Sequence, residues 1–227
     1  MSDKRSISYL VPLFVYVLII KFAVLGSLIK TVGQLASVGI VLGLLTIIPL
    51  WSVIRASFAE LKWRSLFYLI SLIIAQLLTF ALISLLVTHI GHVQMPMHSS
   101  NQTHMNGMGT YAAKNNLVAG AYFVFVALIG PMTENILFLY LIQGIILTHC
   151  TRKFPQKLGL VLRVVVTTLL FTLWHMTRLS DLSSPMFYEY LSLIWLSIIY
   201  EYSHSLAKTW LAHAGLNTVS AIMMLGI

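Results

Sequence analysis

Charge is scarce in this chain. Of its 227 residues only 9% are Asp, Glu, Lys or Arg, against about 25% in an ordinary soluble domain. A soluble fold of this size needs polar groups to cover its surface, and this chain lacks them, so a soluble globular enzyme is excluded. Cysteine is scarcer still: the single Cys150 rules out an intramolecular disulfide and any cysteine-cluster metal site. Six acidic residues face fourteen basic ones, a net charge of +8. In a soluble protein such an excess points to nucleic acid. Here most basic residues flank apolar stretches, which is how membrane topology is signalled, and no nucleic-acid partner is expected. Disorder is excluded as well, because 59% hydrophobic residues and a mean hydropathy of +0.90 leave ample apolar area to bury.

What the chain has in quantity is long hydrophobic runs. A helix needs about 20 predominantly apolar residues to cross the hydrocarbon of a bilayer. Runs over 8–29, 33–54, 65–90, 117–147, 159–178, 186–203 and 208–226 predict an all-α, polytopic transmembrane helix bundle of about seven or eight membrane helices. The eighth arises if the fourth run divides at Gly130-Pro131, since Pro131 lacks an amide donor and crowds the preceding turn, so a kink or break is expected there. The basic groups Lys4 and Arg5, then Arg55, Lys62 and Arg64, then Arg152, Lys153 and Lys157 fall on one side. The positive-inside rule makes that side the cytoplasm and places the N-terminus there. No small-residue cleavage site follows the first run convincingly, so it reads as a retained helix. Lys21 within it either snorkels or faces the bundle. Organisation divides into 1–116, the N-terminal membrane helices with a His/Met-rich loop, and 117–227, the core that carries the chemistry, within one integrated membrane domain.

The 91–116 loop faces outward in this scheme. It holds His92, His98 and His104, with His89 just before it, together with Met95, Met97, Met105 and Met108. Imidazole and thioether ligands suit copper, but the spacing matches no defined metal site, and a solvated loop is the simpler reading. Asn101-Gln102-Thr103 is a glycosylation sequon by pattern.

Ionisable residues inside a membrane span cost at least about 2.5–3.5 kcal/mol and are buried against partners or cavities. Glu134 is the clearest case, in Gly130-Pro131-Met132-Thr133-Glu134-Asn135, with no Lys or Arg within ten residues on either side. Its partner must come from another helix. Phe171 and His175 are four apart and share a helix face, as do His213 and Asn217. Each pair alone has a bland reading, a satisfied core histidine or an interhelical hydrogen bond. Together, one carboxylate, two imidazoles and one amide on three apolar segments form a set that can hydrolyse a peptide. A carboxylate beside an imidazole can deprotonate a water, and a second imidazole with an amide can donate to the oxyanion. No His-Glu-x-x-His zinc helix and no Gly-x-Ser-x-Gly elbow is present.

With these motifs the chain resembles the CAAX prenyl protease and bacteriocin-processing family, CPBP or Abi, which includes the type II CAAX prenyl endopeptidases. That family carries Glu-Glu-x-x-x-Arg, Phe-x-x-x-His and His-x-x-x-Asn/Asp on successive membrane helices. Here Phe171-x-x-x-His175 and His213-x-x-x-Asn217 are intact, and Glu134 keeps the first position of the first motif. Asn135 stands where the second Glu is usual, and Leu139 where the Arg is. By position, the resemblance implies that Glu134 and His175 activate water, that His213 and Asn217 form the oxyanion site, and that Asn135, Phe171 and Leu139 support them. The likeness covers roughly residues 117–227. It implies an intramembrane endopeptidase with Glu/His-activated water as nucleophile, acting on a peptide or lipid-linked protein in bacteriocin self-immunity or processing, or in CAAX-type maturation. It further implies a multi-pass protein of a bacterial cell membrane. The altered first motif favours a different class, a non-catalytic immunity or interaction protein that binds a bacteriocin or its receptor. No cofactor is expected. Zinc is the lesser reading, because Asn217 is a poor zinc ligand and a good hydrogen-bond donor. One geometric requirement follows. His175 ends one run and His213 starts another, so they meet only if the first helix continues past 178, aided by an Arg178–Asp181 pair, or if 206–212 dips into the membrane.

Overall fold

The computed structural model describes residues 8–24, 27–91, 100–176, 181–182 and 185–227. Among these every regular element is helical. We number them α1 (Leu10–Lys21), α2 (Val32–Ala59), α3 (Trp63–His89), α4 (Ser100–Ala112), α5 (Asn116–Thr151), α6 (Gln156–His175), α7 (185–203) and α8 (Leu206–Leu225). Four of them, α2, α3, α5 and α6, are each long and apolar enough to cross a membrane. The molecule is a multi-pass membrane bundle. Lys4, Arg5, His92, Met95, Met97, His98 and Arg178 lie outside the described residues, and with Arg178 the expected pair to Asp181.

Local chemistry sets the helix ends. Thr31 and Gln34 form a reciprocal capping box at the start of α2, with bonds of 3.2 and 3.1 Å. Asn115 accepts from the amides of Leu117 and Val118 at the start of α5. His204, at φ 48°, makes the left-handed turn that separates α7 from α8. The expected 91–116 loop is corrected, because Ser100–Ala112 within it forms α4 and carries His104, Met105 and Met108. Two expected boundaries are corrected as well. The first run is helical only to Lys21 and not to 29; the chain turns out at Ala23, whose φ is 50°. The fourth run does not break at Pro131. α5 passes through it, with π-type turns over Val124–Ile129 and Ile136–Leu147 on either side. The Gly130 amide reaches back five residues to the Phe125 carbonyl, so the hydrogen-bond ladder has already shifted where proline removes a donor.

α2 and α5 pack at close range. Gly39 and Gly43 lie one turn apart and face Phe125 and Ile129, also one turn apart. A Cβ at Gly39 would overlap the Phe125 ring, and one at Gly43 would overlap Ile129 Cγ2 and lie 3.1 Å from Thr133 Oγ1. Lipid gives helices no hydrophobic reason to associate, so small residues that allow backbone approach drive packing here. Gly43→Ala is expected to destabilise the protein by about 1–3 kcal/mol through overpacking. Thermal unfolding in detergent checks this, and an unchanged midpoint would show that α2 and α5 can separate freely.

Two polar ties gather the opposite end of the bundle. Ser57 at the end of α2 bonds Ser205 at 2.8 Å and accepts from the Ala207 amide at 2.9 Å. Arg163 of α6 pairs with Glu201 of α7 and donates to Thr151 of α5 at 2.9 Å. Arg55, Lys62, Arg64, Arg152, Lys153, Lys157 and Lys208 are therefore collected at one end, while Lys30 and Lys114 lie at the other, where Gly33 faces Val118.

Candidate active site

Glu134 sits midway along α5 and is served from two other helices. Its Oε1 accepts from the indole Nε1 of Trp174 on α6 at 2.9 Å. Its Oε2 lies 3.6 Å from Nε2 of His213 on α8, and the two side chains are 15% and 4% exposed. The expectation that Glu134 finds its partners on other helices holds. Asn135, fully buried on the next position, meets the far side of the same imidazole: its Oδ1 is 3.1 Å from His213 Nδ1. One ring thus bridges the two adjacent polar residues of the first motif. Among the described residues Asn135 Nδ2, buried beside it, has no hydrogen-bond partner.

Phe171 joins the two histidines. Its fully buried ring lies 5.5 Å, centre to centre, from His175 and the same from His213, and stacks on Phe138 at 4.5 Å. His175 turns its Nδ1 back to the Phe171 carbonyl at 2.9 Å and stacks on Tyr190 at 4.8 Å. Among the described residues its Nε2 has no hydrogen-bond partner. The helix carrying it ends at His175, with Met176 already extended at ψ 129°. It does not run past 178. His213 reaches the other side of the Phe171 ring because α8 starts at Leu206, at the tied end, and its second turn lies beside Glu134 and Phe171. Asn217 is placed differently from the other three. Its amide donates to the Val126 carbonyl at 3.1 Å and so ties α8 to α5. Leu139 is fully buried in the apolar core.

Among the described residues no group of three His, Cys, Asp or Glu side chains is arranged to hold a metal ion. What the arrangement offers is a carboxylate and two imidazoles set among apolar side chains, where electrostatic effects on a reacting group are large. Residues 115–219 match the family model described as type II CAAX prenyl endopeptidase Rce1-like. This segment is Rce1-like. Neither a curated protein nor a solved structure matches the chain. The matched segment is similar to that family over a little under half of the chain, and it contains Glu134, His175, His213 and Asn217.

Several residues around the candidate site escape a reading of motifs. Trp174 and Tyr190 touch the site directly, and Lys21 of α1 reaches the Trp174 carbonyl. Arg163 and Glu201 form a second buried polar group, in which Gln143 donates to Glu201 at 3.0 Å and to the Ser197 carbonyl at 2.9 Å. Asn135, Leu139 and Gln143 are spaced by four on α5, so Gln143, which reaches the Glu201 carboxylate, lies one turn beyond the position where the family motif has its Arg. A groove of about 550 Å³ opens beside the site, between α1, α5 and α6. Phe14, Val17, Leu137, Leu141 and Leu170 are among its walls, and Lys21 and Trp174 belong to its lining.

Proposed function

We propose that the chain is an intramembrane endopeptidase that hydrolyses a peptide or lipid-linked protein with Glu134 as general base. The observation that supports this best is the meeting of Glu134 and His213, 79 positions apart in sequence, within 3.6 Å in an apolar bundle. Glu134 takes a proton from a water held between its carboxylate and the imidazoles. The water oxygen adds to the peptide carbonyl carbon. His175 commits its N–H to the Phe171 carbonyl. The imidazole that donates to the oxyanion so formed is therefore His213, from Nε2, with its Nδ1 accepting from the Asn135 amide turned about. Glu134 returns the proton to the leaving nitrogen as the C–N bond breaks. Asn217 enters this scheme as an oxyanion donor only by giving up Val126. The scheme needs no metal. The test is cleavage of a quenched-fluorescent prenylated peptide by the full chain in lipid vesicles. Cleavage is expected, and its absence across prenylated and unmodified peptides would overturn the reading.

A second reading has its own observation. Asn135 and Leu139 leave the first motif without the usual second charge pair, which suits a non-catalytic membrane immunity protein that binds a bacteriocin or its receptor. Protection of cells that survives Glu134→Ala would favour it.

The proposal also places the basic end, and with it the N-terminus, in the cytoplasm of a bacterial cell. Cys150 is exposed at that end and is the only cysteine. A membrane-impermeant maleimide is expected to label it in inverted vesicles and not in intact cells. The reverse pattern would invert the topology.

A further inference from the structure

α1 lies outside the Rce1-like segment, yet its last residue reaches the site. Lys21 Nζ donates to the carbonyl of Trp174 and, at 2.6 Å, to that of Met176. One ammonium group therefore grips the backbone on both sides of His175. The same group stands 5.5 Å from the centre of the Trp174 ring, within the range of a cation–π contact. That indole is the one that donates to Glu134.

The end of α6 requires such a partner. The last carbonyls of a helix have no intrahelical donor, and within a bilayer there is no water to supply one. Phe171 O is met by His175 Nδ1, and Leu173 O by the Met176 amide. Trp174 O is met by Lys21. A cation placed there also lies at the negative end of the helix dipole. Lys21 is half-buried, so these contacts replace hydration that the ammonium gives up.

We propose that Lys21 is a positioning residue for the candidate active site. It fixes the end of α6, and with it both the His175 imidazole and the Trp174 indole that holds Glu134. The kinetic consequence rests on the hydrolase reading; the structural one does not.

The experiment uses the full chain in detergent, labelled with fluorotryptophan, and reads its fluorine NMR spectrum. Trp174→Phe assigns the Trp174 signal among the five tryptophans. Lys21→Met is expected to shift or broaden that signal and leave those of Trp51, Trp63, Trp195 and Trp210 in place. Lys21→Arg, which keeps the charge and the donors, is expected to restore it. On a peptide substrate, Lys21→Met should lower kcat by about 10²-fold and leave KM within about twofold, as misplacement of catalytic groups does. An unmoved Trp174 signal in Lys21→Met overturns the proposal. So does movement of all five signals, or failure of Lys21→Arg to restore the native spectrum. If the unmodified protein cleaves no peptide, the hydrolase reading fails, and the fluorine spectrum alone decides the role of Lys21.

Discussion

Glu134→Gln is expected to lower peptide hydrolysis by at least about 10²-fold, the scale of a lost general base, with little change in thermal stability. The amide keeps the shape of the carboxylate and still offers an oxygen to the Trp174 indole, which otherwise donates to Glu134 at 2.9 Å. It cannot take a proton from water. Glu134→Ala is a poorer probe, because it strands the buried indole N–H as well and confounds chemistry with folding. Rates on a prenylated peptide and melting in the same detergent separate the two effects. Retention of activity in Glu134→Gln at normal expression would remove Glu134 from the chemistry.

Glu201→Leu is expected to destabilise the protein by about 3–5 kcal/mol, the usual result of removing one partner of a buried ion pair. Arg163 is only 18% exposed and Glu201 only 7%. Arg163 donates to the carboxylate through both Nε and Nη2. Without Glu201 the guanidinium keeps, among the described residues, one side-chain hydrogen bond, to Thr151, in an apolar bundle. Arg163→Leu in the same chain removes the stranded charge, so the double variant is expected to recover most of the loss. Unfolding midpoints across the four-variant cycle give the coupling. Additive losses would mean that the two residues act separately and that the ends of α5, α6 and α7 are held by packing alone.

The helices and the site were legible in the sequence to different depths. The runs that form α2, α3, α5 and α6 could be read because hydrocarbon demands long apolar stretches, a local property. Glu134, His175 and His213 stood out because ionisable groups are conspicuous in such stretches. Continuity through Pro131 was not legible, since it depends on the π-type shift of the ladder upstream, at the Phe125 carbonyl. Nor was the end of α6. Hydropathy carries that run to 178, but the last turn is set by Lys21, more than 150 positions earlier. Asn217 shares a helix face with His213, as its spacing implied, yet its amide is turned to Val126. Spacing gives the face of a helix and not the rotamer. Arg163 and Glu201 each look like an unexplained charge in one dimension, and only the packing of α6 on α7 makes them a pair.

The groove between α1, α5 and α6 is walled almost wholly by hydrocarbon side chains. In a bilayer the surrounding acyl tails are equally good solvents for an apolar chain. Anything that enters the groove therefore gains no transfer free energy; it exchanges with lipid. Selection there rests on girth, branching and length, and occupancy depends on the competitor as much as on the guest. Affinities measured in detergent micelles and in vesicles of different acyl composition would accordingly differ for one and the same molecule, with the host lipid acting as a ligand of varying strength.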